Sequence, residues 1–551
     1  MPNSNYSQRA VSPHILWVIT ALSLISFAVA CFMGLAVATD GSFHEDGFIL
    51  FRYIEHFSNG DGFAFNPGGA QVEGATPFLW VILAGFLTWL GLDVAQASIV
   101  LSALGVAITV WIFCRWAADI LEPGSRRGIV FAVGVLSGIW MVGLPGYAGF
   151  ATALYAALFM ISMASACHDN LKFTRFTPVW VLLLGLMRPD GVVLAAGVWL
   201  IAAWRLYRGR MTRGFVGCTV GVMGLGVAYM CWRAYHFGHL LPLPLIVKSH
   251  TESGLDGVNF TIVWVLLWGW GCLLALWGAA LYCVRTGSGD DLRAGLLLLP
   301  ASLLFVVLSF AVQSQNVGFR LQIPIFLSVL WVLVVFTRNM SVPLLAVVWG
   351  LACAPAALHN SVAWRSLFRF DYVDGMAQSL YHNWPEGAVL AVSEAGRVPY
   401  WSRANTIDLV GLNTPETAVA PLRIQALTEW EPDLVLVHGF PLVAARIEPG
   451  LQPLPSETVL PMLAPELVPL YAHPPTSYAN SQWSNVAVAS VIALKFLVND
   501  ARYSLMTVKE GETVHIMGFK NGGKLDEGLW RGWVEQALQT PFSGSFHQIK
   551  E

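Results

Sequence analysis

Two adjacent carboxylates, Glu45 and Asp46, follow the first long apolar stretch of the chain by about eight residues. A carboxylate at the edge of a membrane can take the proton of a hydroxyl group when its neighbours hold it and tune its pKa. The loop around the pair, "FHEDGFILFRYIEHFSNGDGFAFNPGGAQVEGATPFLW", contains further polar and charged side chains. Its many aromatic residues favour short interfacial helices on the membrane surface. We interpret this loop as half of an active site.

Three basic residues, Arg188, Lys248 and Arg320, lie at the ends of apolar segments much further along the chain. A charge at membrane depth is costly unless it faces a partner or a cavity. Arg offers a planar fork and Lys a point charge to phosphate oxygens, which stabilises a phosphate leaving group. Carboxylates and cations that meet at one leaflet therefore indicate sugar transfer from a lipid phosphate to a hydroxyl. Arg233 is interpreted instead as a side chain that reaches the lipid headgroups.

The composition is that of an integral membrane protein. Hydrophobic residues make up 56% of the 551 positions and charged residues only 12%, against about 25% charged in soluble proteins. The net charge of -3 argues against nucleic acid as a partner, which needs a basic face. The eight cysteines fall in or beside apolar segments, and no cluster of His or Cys in the sequence indicates a zinc site.

Twelve apolar segments approach the length of about 20 residues that a helix needs to cross the bilayer core. They are residues 15–37, 76–92, 95–114, 128–145, 149–166, 174–187, 190–205, 213–235, 260–283, 293–313, 321–337 and 341–357. Basic turns favour the cytoplasm, as in the arginine-rich turn at 205–213. Because twelve crossings would return the tail to the cytoplasmic side, we expect about eleven, with a cytoplasmic N-terminus and everything after residue 357 outside.

From about His359 the pattern changes to that of a globular domain. The runs "GAVLAVSEAG" and "PDLVLVHG" are typical of buried strands, and residues 372–384 and 414–427 have helical spacing. We therefore predict a transmembrane region over residues 1–358, with an external loop at 38–75, and an extracytoplasmic α/β domain over 359–551.

The loop after the first helix resembles the first external loop of integral-membrane glycosyltransferases of the GT-C class, in the branch of the terminal β-1,2-arabinofuranosyltransferases. The family pattern has two acids, an aromatic residue, Arg-Tyr, Gly-x-Gly, Asn and Glu-Gly-x-Thr. Those places are filled here by Glu45, Asp46, Phe48, Arg52, Tyr53, Gly60, Gly62, Asn66, Glu73, Gly74 and Thr76. The segments "RPDG", "FGHLLPLPLIVKSH" and "SEAGRVPYWSRANTIDLVGLNTPE" are similar to further motifs of the family.

The sequence also departs from the family pattern at three places. Glu45 stands where Asp is usual, Leu243 and Pro244 replace an expected Asn, and "GFATALY" lacks the acid of the family motif near residue 150.

The resemblance implies a GT-C-like fold and an inverting transfer of arabinofuranose or a related sugar from a polyprenyl-phosphate donor. The acceptor is a cell-envelope glycan or a surface protein, at the outer face of the bacterial inner membrane. Glu45 or Asp46 would deprotonate the acceptor, and Lys248, Arg320 and Arg188 would hold the donor phosphate. The remaining motif residues are candidates for substrate contact: Arg52, Tyr53, Asn66, Glu73, Thr76, Asp190, His250 and Tyr400. The resemblance establishes no cofactor and leaves a divalent cation optional, because some enzymes of the class use one and others do not.

Two other functions share these features. A transporter or flippase of lipid-linked sugars would need the same helices and cations, but not paired acids on a folded outer loop. A non-catalytic membrane scaffold that binds glycan is the third reading, because a fold does not prove activity.

Overall fold

A computed structural model describes residues 13–39, 43–120, 149–167, 171–208, 213–249, 254–266, 289–311, 319–337, 384–438, 441–476, 483–510 and 513–525, with isolated positions between 316 and 350 and between 528 and 535. The described residues before position 350 form helices joined by loops. The helices are α1 (Pro13–Thr39), α2 (Glu45–Asn59), α3 (Phe78–Trp89), α4 (Val94–Ile120), α5 (Thr152–Ala166), α6 (Leu171–Thr174), α7 (Thr177–Met187), α8 (Gly191–Arg208), α9 (Arg213–Phe237), α10 (Leu243–Ser249), α11 (Gly254–Trp264), α12 (Gly289–Phe310) and α13 (Ile323–Thr337).

Most of these helices coincide with the predicted apolar segments. Among the described residues, α1, α4 and α9 are long and apolar enough to cross a membrane, and shorter apolar helices accompany them. The predicted segment 128–145, and most of 260–283 and 341–357, lie outside the described residues. The number of crossings therefore stays a prediction.

Helix α4 lies at the centre of the bundle, where it packs along both α1 and α5. Gly105 of α4 lies so close to the backbone of Ala153 in α5 that an added Cβ would be 2.4 Å from the Ala153 carbonyl carbon. Gly197 of α8 approaches Pro300 of α12 in the same way, with an added Cβ at 2.7 Å. Glycine at these crossings lets the helices approach more closely than any side chain would allow.

Helix α2 follows α1 as the sequence predicts, but its aromatic face is covered by protein. The rings of Phe48 and Phe51 are fully buried and pack against Tyr400, and Phe48 also contacts Trp401 at 5.6 Å between centroids. The expected placement of these aromatic residues on the lipid surface is therefore wrong. Their burial against protein satisfies the same requirement to leave water.

The C-terminal α/β region, which we define as residues 384–535, contains a six-stranded sheet with the order β2-β1-β3-β6-β5-β4. Its strands are β1 (Val389–Val392), β2 (Asn405–Asp408), β3 (Leu434–His438), β4 (Gly450–Pro453), β5 (Tyr503–Glu510) and β6 (Thr513–Lys520). Strands β2, β1 and β3 are parallel, whereas β6, β5 and β4 continue the sheet in antiparallel fashion. Its α-helices are α14 (Arg397–Ser402), α15 (Pro415–Val419), α16 (Ile424–Trp430), α17 (Ser456–Met462), α18 (Val468–Ala472) and α19 (Asn485–Asn499).

Both predicted strands are confirmed, since they form β1 and β3. The single helix expected over 414–427 is instead two short helices, α15 and α16. Ala420 precedes a proline and is extended, with φ -144° and ψ 153°, because the proline ring clashes with a helical preceding residue. Most of the predicted helix at 372–384 lies outside the described residues, and the domain boundary at 358 stays a prediction.

Candidate active site

Asp46 and Arg320 meet although they are far apart in the sequence. Asp46 lies in the first turn of α2, where the helix dipole favours a negative charge. Nη2 of Arg320 lies 3.6 Å from Oδ2 of Asp46, and both side chains are largely buried. That separation is an ion pair without a direct hydrogen bond. The structure therefore brings one predicted acid next to one predicted cation.

The guanidinium of Arg320 has further unused donor capacity. Its Cζ lies 3.6 Å from the ring centroid of Phe150. Its Nη1 is buried and has no hydrogen-bond partner among the described residues. Burial lowers the pKa of Arg320 to about 10, which still leaves it charged at neutral pH. A buried cation with an unsatisfied N–H is a suitable partner for an anionic ligand.

Arg188 forms the second cationic position, just after α7. Its Nε donates to Oδ1 of Asp190 at 2.9 Å, and the hydroxyl of Tyr155 donates to the other carboxylate oxygen at 3.1 Å. The charges of Arg188 and Asp190 both act on the pKa of Arg320, the first lowering it and the second raising it. Asp190 thus orients Arg188, and its carboxylate is occupied by the contacts with Arg188 and Tyr155.

Lys248 lies near the end of α10 and is half-buried. The start of α10 is bound to the loop after α2, because the N–H of Leu243 donates to the carbonyl of Glu73 at 3.1 Å. The amide of Asn485 donates to the carbonyl of Val247 at 3.2 Å. The predicted contact of Lys248 with donor phosphate stays a prediction, and His250 lies outside the described residues.

Glu45 has different partners from Asp46. Its carboxylate accepts from the backbone N–H of Gly396 at 2.6 Å and of Arg397 at 3.0 Å, at the start of α14. Burial, and then the charge of Glu394, raises the pKa of Glu45 to about 7, while Arg397 and the two amides oppose the shift. An added Cβ on Gly396 would lie 2.0 Å from the carbonyl oxygen of Glu45, so this contact requires glycine. Glu45 thus ties α2 to the C-terminal α/β region.

Glu73 and Arg233 form a buried ion pair, with Oε2 of Glu73 2.5 Å from Nη2 of Arg233. The interpretation of Arg233 as a side chain that reaches the headgroups is therefore wrong, because its guanidinium turns inward to Glu73. Burial raises the pKa of Glu73 to about 7, although Arg233 lowers it. This pair fixes the end of the loop against α9, which leaves its contact with substrate a prediction.

Arg52 and Asn66 join the loop to the C-terminal α/β region through backbone groups. Arg52 is buried and donates to the carbonyls of Phe65 at 2.5 Å, Ala404 at 2.7 Å and Pro399. The amide group of Asn66 bonds to both the N–H and the carbonyl of Thr406, at 2.8 and 2.9 Å, and so extends the edge of β2. Arg52 also donates to Asn66 at 3.1 Å. Arg52 and Asn66 therefore connect α2 and the loop after it to the C-terminal α/β region.

Tyr53 and Tyr400 serve the same interface. The hydroxyl of Tyr53 accepts from the N–H of Gly74 at 3.0 Å and donates to Asn413 at 3.1 Å. The hydroxyl of Tyr400 donates to Glu55 at 2.8 Å. The carbonyl of Thr76 accepts from Phe78 at 3.1 Å at the start of α3. Direct contact of these residues with substrate, as the resemblance implies, stays a prediction.

Several residues of this interface escaped the sequence analysis. Arg403 pairs with Glu55, and Asp408 accepts four hydrogen bonds from Val410, Gly411 and Asn413. The Asp408 carboxylate thereby orders the loop that receives Tyr53. The only indication of Arg403 and Asp408 in the sequence was that both lie in the segment beginning near Gly396 that resembles a motif of the family. Among the described residues, one group of carboxylate and imidazole side chains also has the arrangement of metal ligands: Glu394, His438 and His515.

Comparison with known proteins identifies the fold. A family model described as "Domain of unknown function (DUF8728)" matches residues 363–506. No curated protein matches the chain at a significant level. The solved structures that are similar to it include two crystal structures of ArnT from Cupriavidus metallidurans. The apo structure has a TM-score of 0.50 and 14% identity, over 77% of this chain and 93% of that chain.

The second ArnT structure, described as bound to undecaprenyl phosphate, has a TM-score of 0.53 and 13% identity, over 91% of this chain and 98% of that chain. At this level of identity the likeness concerns the fold. The chain therefore shares the fold of these two structures, which supports the GT-C-like architecture expected from the resemblance. The comparisons do not point to the arabinofuranosyltransferase branch.

Proposed function

We propose that the chain is a glycosyltransferase that takes its sugar from a polyprenyl-phosphate lipid. The observation that carries the proposal is the contact of Asp46 with Arg320, whose buried Nη1 has no hydrogen-bond partner among the described residues. The ArnT structure described as bound to undecaprenyl phosphate has the same fold, which makes a lipid of this type the natural donor.

In the proposed reaction Asp46 is the base. It takes the proton of an acceptor hydroxyl, whose oxygen then forms a bond to the anomeric carbon of the sugar. The bond between that carbon and the phosphate oxygen breaks, and its electron pair stays on the polyprenyl phosphate. Arg320, Arg188 and Lys248 stabilise this leaving group. Attack opposite the leaving phosphate inverts the configuration at the anomeric carbon.

Glu45 is a positioning residue in this scheme, because its carboxylate is already bound to the amides of Gly396 and Arg397. The sugar we propose is arabinofuranose or a related sugar, on the strength of the loop motif from Glu45 to Thr76. The acceptor is a glycan or a surface protein of the cell envelope. We place the reaction at the outer face of a bacterial plasma membrane, with the C-terminal α/β region on that side and the N-terminus in the cytoplasm.

The test is transfer by purified protein in liposomes that contain a panel of polyprenyl-phosphate sugars, with cell-envelope glycan and surface protein added as acceptors. Release of free polyprenyl phosphate is measured for the wild type and for Asp46→Asn, which keeps the shape and removes the base. We expect the variant to lose about 10²–10⁴-fold in rate, the usual contribution of a general base. Asp61→Asn, the same change elsewhere in the same loop, is the matched control and keeps wild-type activity.

Two results would contradict the proposal. Wild-type release by Asp46→Asn would remove the assigned base. If no donor yields free polyprenyl phosphate while the lipid-linked sugar moves between the leaflets, the protein is a transporter of lipid-linked sugars.

A further inference from the structure

Three potential metal ligands meet at one end of the sheet, in a place the transfer mechanism does not use. His438 at the end of β3 lies opposite His515 of β6 in the antiparallel register. Glu394 follows the end of β1 by two residues. Nδ1 of His438 lies 3.4 Å from Nε2 of His515 and 3.7 Å from Oε2 of Glu394. One ligand atom from each residue lies within 4.8 Å of the other two.

The two separations from Nδ1 of His438 are close to those expected around a tetrahedral metal ion. Zinc binds imidazole nitrogen and carboxylate oxygen at about 2.0–2.2 Å, so two ligand atoms of a tetrahedral site lie about 3.4 Å apart. A hydrogen bond between the two imidazoles is the simpler reading, but 3.4 Å is longer than the usual range for such a bond. A metal ion bound at this place accounts for that distance and for the approach of Oε2 of Glu394 to the same nitrogen of His438.

The surroundings suit a cation with one open position. His515 is buried, whereas the side chains of His438 and Glu394 are 33% and 45% exposed. An imidazole binds a metal ion through the lone pair of a ring nitrogen, and the buried ring of His515 is held in place by the sheet. Three protein ligands that are open to solvent on one side leave the fourth position for water.

The backbone around Glu394 is already held on β3. The N–H of His438 donates to Oγ of Ser393 at 2.8 Å, and the N–H of Ser393 donates to the carbonyl of Leu436 at 3.1 Å. The backbone that carries Glu394 and His438 is therefore fixed by hydrogen bonds that do not require the metal. Such preorganisation reduces the ordering that metal binding would otherwise require.

We propose that Glu394, His438 and His515 bind a divalent transition-metal ion, with Zn²⁺ the best match to their atoms and spacing. The ion links the segment after β1 to β3 and β6. Glu394 is two residues before Gly396, whose N–H holds Glu45. The metal thus supports the segment on which α2 rests. The site does not depend on the proposed sugar transfer.

The test uses Co²⁺ as a spectroscopic probe of the full-length protein, purified in detergent without an affinity tag and freed of metal by a chelator. Tetrahedral Co²⁺ gives visible absorption bands, and competition with Zn²⁺ should remove them. We expect one Co²⁺ per chain, and an affinity at least about tenfold weaker in His438→Ala and in Glu394→Gln. His473→Ala, which removes a histidine elsewhere in the same region, is the control and binds as the wild type does.

The test uses substitutions of the two more exposed ligands, His438 and Glu394, because a substitution of the buried His515 in the sheet can itself prevent folding. Absence of Co²⁺ and Zn²⁺ binding by the wild type would overturn the proposal. Equal binding by the wild type, His438→Ala and Glu394→Gln would do the same. Transfer activity is not needed for any of these measurements, so the outcome is separate from that of the proposed function.

Discussion

At the scale of single residues, the structure separates two acids that the sequence presents as a pair. Glu45 and Asp46 are consecutive in α2, so their side chains point about 100° apart around the helix axis. Asp46 faces Arg320, while Glu45 faces the amides of Gly396 and Arg397. From the sequence alone both acids are candidate bases. The residues that face them lie more than 250 positions further along the chain, so the sequence does not show which acid contacts which partner.

The environment of Glu45 predicts a pH dependence of stability. Its pKa rises from an ordinary value of 4.5 to about 7 in the folded protein. The folded state therefore holds the proton more tightly than the unfolded state. The resulting stabilisation is complete below about pH 4 and is lost as the pH rises through 7. Glu45→Gln removes this titration but keeps an oxygen that accepts from the two amides.

We expect the unfolding midpoint of the wild type, measured in detergent at pH 5 and pH 8, to fall with rising pH by a few degrees more than that of Glu45→Gln. Glu416→Gln is the matched control, because Glu416 is exposed in α15 and should leave the pH dependence of the wild type unchanged. Identical pH dependence in the wild type and Glu45→Gln would show that Glu45 titrates alike in the folded and unfolded states.

At the scale of elements, the close crossing of α4 and α5 makes a second prediction. Gly105→Ala would place a methyl group 2.4–2.5 Å from backbone atoms of Ala153 and Leu154, which do not have the freedom of a side chain. The helices must separate, and overpacking of this kind costs about 1–3 kcal/mol. We expect a lower unfolding midpoint in detergent. Because α5 carries Tyr155, which holds Asp190, transfer activity should fall as well.

Gly217→Ala is the control for this change. Gly217 is inside α9, and no atom of the described residues outside the helix's own backbone lies within 4 Å of an added Cβ. Alanine is favoured over glycine in a helix by about 1 kcal/mol. The control should therefore keep or raise the midpoint. Equal effects of the two substitutions would mean that α4 and α5 do not cross as closely as described.

The sequence predicted the helices and strands better than it predicted the contacts of individual residues. Apolar runs predicted most of the described helices, and Gly-terminated runs predicted β1 and β3, because these patterns report directly on burial. Two expectations failed, one for a local reason and one because of a distant contact. Pro421 interrupts the helical spacing at 414–427. The aromatic residues of α2 are buried by Tyr400 and Trp401, and hydropathy does not distinguish burial in protein from burial in lipid.

At the scale of the whole molecule, the loop after α1 and the C-terminal α/β region form one continuous structure. Asn66 bonds to Thr406, and Phe48 shares a hydrophobic core with residues of the sheet such as Leu436. Contacts between residues several hundred positions apart have no periodicity that a single sequence reveals. The sequence also does not show that His438 and His515 are neighbours, because only the register of β3 and β6 brings the two rings together.

This continuity has a consequence for topology, because two segments in contact must lie on the same side of the membrane. Single cysteines at Asn59, in the exposed last turn of α2, and at Ser456, at the exposed start of α17, should both react with a membrane-impermeant maleimide in intact cells. A cysteine at Arg175, exposed in the turn before α7, should react only after the membrane is disrupted, because basic turns favour the cytoplasm.

The background of this experiment is a chain in which the eight native cysteines are replaced, so that each introduced cysteine is the only one present. Reaction at Ser456→Cys without reaction at Asn59→Cys, or the reverse, would contradict the interface formed by Arg52, Asn66 and Thr406. If both stay unreactive and only Arg175→Cys reacts, the interface stands and the orientation is reversed. A polyprenyl-phosphate donor would then have to be used on the cytoplasmic leaflet, because Asp46 and Arg320 belong to the same face as α2.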